Sequence, residues 1–292
     1  MLNNIIKNFS KDTINYGLSG AFSKTLSFLL LPFLTQKIPP KELGIFALLS
    51  LFTMMLSGLS NLGTLNSLTI FYFEEESSSK KDKLIWTNFI QLFINNFLLV
   101  LIITFFSKKL STIIFGSVIY YELIILSILG LSFNTLSDIF LNYLIILRKS
   151  KKYLILNVFK SILFLLLALI LVIFLNKGLE GYIFSITISN LFFLTLMLII
   201  VGRKIRFGFD VDKNFKLIRV GFPTIFGLFA FILIDFSDRK IIELFLGLDE
   251  LGVYTVAYSF GMAVLLFTNA FSSTWAPFSN SYINKQSETK QL

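Results

Sequence analysis

Eight long segments of predominantly apolar residues dominate the sequence and constrain its fold. About 20 consecutive apolar residues are enough for a helix to cross the hydrocarbon core of a bilayer. The segments are residues 13–36, 43–72, 84–106, 118–147, 153–175, 179–201, 216–238 and 251–282. None alternates between apolar and polar residues as a barrel strand does. Hydrophobic residues make up 55% of the chain, well above a soluble domain. The sequence therefore predicts an all-α polytopic membrane protein.

The connections between these segments alternate in basic charge. One set holds 17 of the 26 Lys and Arg residues, whereas the opposite set holds only five: Lys37, Lys41, Lys108, Lys109 and Lys177. Basic connections stay on the cytoplasmic side of a membrane. We therefore expect a multi-pass protein in which both termini of this chain are cytoplasmic.

The sequence contains no His and no Cys. Their absence excludes Cys/His metal sites, cysteine nucleophiles, Ser-His-Asp triads and disulfides. We expect no metal, no cofactor and no enzymatic activity. The net charge of +9 is accounted for by basic loops, so no nucleic-acid partner is expected.

Two short stretches of the chain are alike. Glu42-Leu43-Gly44-Ile45-Phe46-Ala47-Leu48-Leu49-Ser50 is similar to Glu250-Leu251-Gly252-Val253-Tyr254-Thr255-Val256-Ala257-Tyr258, 208 residues later. Six apolar segments fill one such interval, and internal repeats are typical of transporters with a site between two lobes. Chance similarity between apolar helices is the alternative.

The predicted domains are a six-helix lobe (1–202), a basic cytoplasmic linker (203–219) and the start of a second lobe with helices 7 and 8 (220–292). Two full repeats exceed 292 residues, so a C-terminal truncation is expected.

Prolines lie both at the start of an apolar segment and inside other segments. Pro39 and Pro40 precede the second segment, where proline is tolerated at a helix start. Pro32, Pro223 and Pro277 fall inside predicted segments 1, 7 and 8, where proline kinks a helix. They are either bending points of a carrier or prolines that a membrane helix simply tolerates.

Several charged residues lie within the predicted spans. At about 1.5 Å per residue, Lys24, Lys160 and Asp138 lie roughly 12–15 Å from the cytoplasmic boundary. A charge at that depth is costly unless it is paired or faces water. Asp138 and Lys160 form either a structural pair or an ion-coupling site, and Lys24 is a candidate for a cationic cavity. Asp238 and Arg239 lie near the outer face, where a solvated helix end is the simpler interpretation.

Several motifs resemble the polysaccharide-biosynthesis or O-antigen-type flippase family, within the multidrug/oligosaccharidyl-lipid/polysaccharide exporter superfamily. The resemblance rests on Leu30-Leu31-Pro32-Phe33-Leu34-Thr35, Pro40-Lys41-Glu42-Leu43-Gly44-Ile45-Phe46, Gly221-Phe222-Pro223, Asp238-Arg239-Lys240-Ile241-Ile242, Leu248-Asp249-Glu250-Leu251-Gly252-Val253-Tyr254-Thr255-Val256-Ala257-Tyr258, and Trp275-Ala276-Pro277-Phe278. It implies a MATE-like bundle in which two six-helix lobes surround a central cavity. The first lobe would be complete here, and the second would be represented by its first two helices.

The same resemblance implies a function. Members move undecaprenyl-diphosphate-linked oligosaccharide units across the bacterial cytoplasmic (inner) membrane, for O-antigen of lipopolysaccharide, capsule or exopolysaccharide. Lys24 falls where a basic residue commonly occurs, and Asp238-Arg239 matches the family's Asp-Arg pair. The implied cationic cavity comprises Lys24, Lys160 and Arg239, with Asp138 and Asp238 as ion-coupling or structural groups. The implied partners are the lipid-linked oligosaccharide, membrane lipid and other polysaccharide-assembly proteins.

Three alternatives remain open. A cation-coupled multidrug exporter of the same superfamily would favour acidic residues inside the membrane, whereas the residues here are mixed to basic. A membrane-embedded polymerase or ligase would carry large outer loops, whereas the longest candidate, around residues 107–117, is short. The chain could also be an inactive fragment of a truncated gene product.

Overall fold

The computed structural model describes residues 2–261, all in helices and their connections, with no β-strand in that range. The helices are α1 Leu2–Lys37, α2 Pro40–Asn61, α3 Thr64–Glu74, α4 Ser78–Phe115, α5 Tyr121–Ile146, α6 Ser150–Ala168, α7 Gly178–Ile200, α8 Val211–Gly221 and α9 Thr224–Leu246. A tenth helix, α10, begins at residue 248 and is described as far as residue 261. The rest of predicted segment 8, with Pro277, lies outside the described residues, as does the side chain of Asp235.

Within the part of the chain that the structure describes, six segments are long and apolar enough to cross a membrane: Ile14–Lys37, Pro40–Glu74, Ser78–Phe115, Val118–Ile146, Ser150–Phe174 and Gly178–Lys204. They match the first six predicted spans. The chain is therefore an all-α multi-pass membrane protein, as its apolar pattern predicted.

Two predicted spans differ from the structure. The second is interrupted between α2 and α3, where Leu62 and Gly63 adopt left-handed backbone angles, with φ of 51° and 65°. The prediction of one seventh helix over residues 216–238 is wrong, because α8 ends at Gly221 and α9 begins at Thr224. Pro223 lies at this junction and not inside a helix, because a residue without an amide proton is tolerated at a helix start.

Pro32 and Pro40 lie where the sequence placed them. Pro32 is inside α1. Pro40 is the first residue of α2, a position whose amide has no partner within the helix.

Two apolar cores occupy opposite ends of the bundle. One contains Leu34, Leu43 and Leu179, near the connections that carry few basic residues, and we call this the far end. The other contains Leu84, Phe140 and Leu217, at the basic end. Between them lies a polar belt, contributed by residues near the middle of each spanning segment: Lys24, Ser60, Asn96, Asn134, Lys160 and Asn190.

Hydrogen bonds join the belt across helices. The Ser60 hydroxyl donates to Asn96 Oδ1 at 2.6 Å and lies 2.7 Å from the Thr135 hydroxyl. Asn190 donates to the carbonyl of Gly130 at 3.0 Å. Buried polar groups require such partners, so the belt fixes the register of α2, α4, α5 and α7.

The two similar stretches pack against each other at the far end. Gly44 lies against the carbonyl oxygen of Leu248, and Gly252 lies against the carbonyl oxygen of Pro40. Residues 40 and 44 correspond to residues 248 and 252 in the repeat spacing of 208. The contact is therefore reciprocal, as at a twofold-symmetric interface.

Candidate substrate cavity

A cavity of about 470 Å³ lies between α1, the beginnings of α2 and α7, and the α9–α10 pair. Most of its wall is apolar or aromatic, with side chains from both copies of the repeat. The lining residues are Ser23, Lys24, Ser27, Phe28, Leu31, Leu34, Ile38, Leu43, Phe46, Leu179, Tyr182, Arg239, Thr255, Val256, Tyr258 and Ser259. The cavity thus lies between the two parts of the chain that the repeat relates.

Two cations line this cavity, and no acidic residue does within the described part of the chain. Lys24 is exposed, and it forms no ion pair with any side chain that the structure describes. Arg239 is half-buried, with its guanidinium 5.3 Å from the centre of the Tyr258 ring. A cation over an aromatic face is held in place without losing its charge. The cavity is therefore suited to an anion.

The hydroxyls of the cavity are held by their own helices. Ser27 donates to the carbonyl of Ser23 at 3.1 Å, Thr255 to that of Leu251 at 2.7 Å, and Ser259 to that of Thr255 at 2.8 Å. Their oxygens can still accept hydrogen bonds. Together with the apolar wall and the two cations, these acceptors suit a ligand that has apolar, hydroxylated and anionic parts.

Lys160 lies in a different environment from the other two predicted cations. Its ammonium group donates to Asn134 Oδ1 at 2.5 Å and lies 3.9 Å from Asp138 Oδ1. Asn134 in turn donates to Asp138 Oδ2 at 2.8 Å, and Lys160 lies 5.1 Å from the centre of the Phe193 ring. The structure thus brings Lys24 and Arg239 together at the cavity and places Lys160 with Asp138 inside the bundle.

A polar seam joins α1 and α6 beside Lys24 and Lys160. Ser23 and Ser161 lie 2.6 Å apart, and Asn157 donates to Ser19 at 2.6 Å. Both pairs are 138 residues apart in sequence, as expected for parallel helices packed in register. The sequence-based expectations did not include this seam, although small polar residues at every fourth position of α1 (Ser19, Ser23, Ser27) are a signal of close helix packing in membranes.

The remaining acidic candidate does not face the cavity. Asp238 is exposed on α9, one residue before Arg239, and is absent from the cavity wall. Its neighbour Lys240 pairs instead with Glu243 at 2.5 Å. In the part of the chain that the structure describes, no cluster of three or more His, Cys, Asp or Glu residues could hold a metal ion.

The fold is shared with known transporters. The MATE multidrug transporter DinF-BH is 13% identical, with a TM-score of 0.70, over 89% of this chain and 61% of that one. An inward-facing multidrug resistance MATE transporter of the MOP superfamily is 18% identical, with a TM-score of 0.67, over 89% and 62%. A MOP superfamily transporter from Pyrococcus furiosus, reported with a binding pocket of reverse polarity, is 13% identical, with a TM-score of 0.68, over 90% and 62%. The chain thus spans less than two thirds of these structures.

No curated protein sequence matches this chain significantly. A family model does: residues 9–282 match the model described as "Polysaccharide biosynthesis protein". This match includes every residue that lines the cavity. The chain has a MATE-like transporter fold and belongs to the polysaccharide biosynthesis protein family.

Proposed function

We propose that the protein is a flippase. It moves undecaprenyl-diphosphate-linked oligosaccharide units across the bacterial cytoplasmic membrane by alternating access, for O-antigen, capsule or exopolysaccharide synthesis. In this proposal the basic end of the bundle and both termini of the chain are cytoplasmic, as the positive-inside rule favours. The protein carries its substrate and performs no chemistry on it.

The observation that carries this proposal is the pairing of Lys24 and Arg239 at one cavity. A diphosphate can cross apolar lipid only if its charge is matched, and two cations in a water-accessible cavity match it. The cations come from the two repeat-related parts of the chain. A relative movement of those parts therefore changes their separation, as alternating access requires.

The other features of the cavity fit the rest of such a substrate. Phe28, Leu31 and Tyr182 offer apolar surface to the prenyl chain, and the hydroxyls of Ser27 and Ser259 offer hydrogen bonds to sugars. Basic connections at the cytoplasmic end would concentrate an anionic substrate at the inner leaflet.

Substitution at Lys24 tests the proposal in cells. In the native gene, Lys24→Ala is expected to abolish surface glycan at normal protein abundance, and Lys24→Arg to retain part of it because the charge remains. Lys109→Ala is the matched control, since Lys109 is exposed on α4 outside the cavity, and it should behave as wild type. Full surface glycan in the Lys24→Ala strain would overturn the proposal.

A cation-coupled multidrug exporter is the second candidate, because the structural neighbours include MATE multidrug transporters. Such a carrier needs acidic groups for cationic drugs, whereas the described cavity wall offers Lys24 and Arg239. If this candidate is correct, expression raises drug resistance, Lys24→Ala preserves that resistance, and surface glycan is unaffected by loss of the gene.

A further inference from the structure

The segment between α7 and α8 is fixed to the bundle by polar contacts. Trp86 Nε1 donates to the carbonyl of Ile205 at 3.1 Å, and the amide of Arg206 donates to Asp82 at 3.3 Å. The amide of Asp210 donates to the Thr87 hydroxyl at 3.0 Å. Residues 202–210 therefore have a defined position at the basic end of the bundle.

One face of α8 packs on the bundle. Leu217 is fully buried in the core of the basic end, and its carbonyl accepts from the Ser67 hydroxyl at 2.9 Å. Lys213 forms an ion pair with the nearly buried Glu75. Asp210 caps the helix by accepting from the amide of Lys213 at 3.0 Å. These contacts set which sides of α8 face outwards.

A second face of α8 is apolar and exposed. Val211 is 57% exposed, Phe215 67% and Phe222, directly after the helix, 44%. At 3.6 residues per turn these three lie within about 40° of one another. Phe207, just before the helix, is 72% exposed. A continuous apolar surface of this kind marks contact with another apolar phase.

A third face of α8 carries two cations, Lys216 and Arg219, together with one exposed carboxylate, Asp212. Lys216 and Arg219 are exposed and form no ion pair with the side chains that the structure describes. They lie next to the apolar face, roughly 80–140° around the helix from Val211. The exposed cations upstream are Arg203, Lys204 and Arg206. An apolar stripe beside a row of cations is the pattern of a helix that lies in a membrane interface.

We propose that residues 203–222 bind the anionic phospholipids of the leaflet at the basic end of the bundle. Val211, Phe215 and Phe222 enter the acyl boundary, while Lys216 and Arg219 contact phosphate groups. Charge complementarity identifies the occupant, because a zwitterionic headgroup carries no net charge for these cations to match. The proposal does not depend on the transported substrate, since none of these residues lines the cavity.

The absence of cysteine allows a single fluorophore to be attached at Phe215→Cys. The full chain is reconstituted into phosphatidylcholine vesicles that contain either brominated phosphatidylglycerol or the same amount of brominated phosphatidylcholine. The label is expected to be quenched at least about twofold more by the brominated anionic lipid. A label at Phe97→Cys, which is 56% exposed near the middle of α4, should be quenched equally by both lipids.

Charge substitutions separate lipid recognition from mere proximity. Adding Lys216→Gln and Arg219→Gln to the labelled Phe215→Cys protein should bring the quenching ratio close to one. The matched control is Lys108→Gln with Lys109→Gln, two exposed cations on α4, which should leave the ratio unchanged. Equal quenching at Phe215→Cys by both lipids overturns the proposal, and so does an absence of quenching, which indicates water or protein at this face.

Discussion

At the scale of single residues, the cations in the middle of the helices occupy two kinds of environment. Lys24 is exposed to the cavity and has no acidic partner among the side chains that the structure describes. Lys160 lies beside Asp138 and Asn134 within the bundle. A mid-membrane cation is stabilised either by water and a ligand or by a carboxylate. We therefore propose a binding role for lysine in one place and a structural role in the other.

The structural role that we propose for Lys160 leads to a stability prediction. Lys160→Met is expected to lower the free energy of unfolding by about 3 kcal/mol or less, because it leaves Asp138 without its cation. Asp138 is 34% exposed, and this exposure limits the loss. Combining Lys160→Met with Asp138→Leu should recover part of the stability, because the unpaired charge is then removed.

Thermal unfolding of both variants in detergent measures this effect. The single variant should have the lower Tm of the two. A double variant that is less stable than Lys160→Met would show that the pair stabilises the fold more than apolar contacts can.

At the scale of elements, two helix breaks lie against each other. The break between α2 and α3 places Gly63 on the backbone of Gly221, where α8 ends. Beside it, Gly58 of α2 lies against Ile225 and Phe229 of α9. Gly63 and Gly221 have no side chains, so the backbones of the two helix breaks can approach each other directly. The contacts of α2 with α9 and of α3 with α8 therefore meet at one junction.

Gly63→Ala should therefore be severely destabilising. Gly63 has a φ of 65°, and a methyl group there would overlap the carbonyl of Gly221. Gly116 has a similar φ of 69°, but a methyl group there would have no heavy atom within 4 Å. Gly116→Ala therefore reports backbone strain alone, about 1–2 kcal/mol. We expect Gly63→Ala to cost at least about 1 kcal/mol more, since overpacking adds to that strain.

The comparison of Tm values between these two alanine variants checks the junction. If the two variants lose the same Tm, the cost at Gly63 comes only from its left-handed backbone conformation. The contact with Gly221 would then be loose enough to accept a methyl group.

At the scale of the whole molecule, the repeat produces a reciprocal contact between the two parts of the chain. Gly44 and Gly252 each lie against a carbonyl of the other copy. The contact closes the far end of the bundle next to Leu43, which also lines the cavity. Separation at this point would open the cavity towards the far side.

Gly44→Ala and Gly252→Ala should thus have the same effect. Each methyl group would overlap a backbone oxygen, and the two copies must move apart by about 1 Å or more to restore close packing. Lys41 and Asp249 are exposed and equivalent in the repeat. Spin labels attached at Lys41→Cys and Asp249→Cys should therefore lie farther apart in each alanine variant than in the wild type. Gly20→Ala, with open space around it, is the control, and an unchanged distance in both test variants would contradict the reciprocal contact.

The sequence predicted the features that depend on local pattern. Apolar length indicated the six spanning segments, and repeat spacing identified the stretches around Gly44 and Gly252. It did not predict the break at Leu62, because that backbone conformation depends on the contact between Gly63 and Gly221. Nor did it predict the docking of α8, because the burial of Leu217 arises from tertiary packing.

The candidate site was predictable in part for the same reason. Charge and depth identified Lys24 and Lys160, and the resemblance of Asp238-Arg239 to the family's Asp-Arg pair identified Arg239. No single-sequence signal told which of these cations share a cavity. The aromatic partner of Arg239, Tyr258, lies in the repeat yet has no distinguishing local pattern. Which side chains face the same cavity depends on their direction around each helix, and packing sets that direction.

Binding of a fluorescent undecaprenyl-diphosphate oligosaccharide to the purified protein tests the central claim most directly. Lys24→Ala and Arg239→Ala should each raise Kd about tenfold or more, because each removes one charge-assisted contact. Lys24→Arg and the control Lys109→Ala should stay within about threefold of wild type. Unchanged Kd values in both alanine variants, or equally tight binding of undecaprenol without phosphate, would contradict the account.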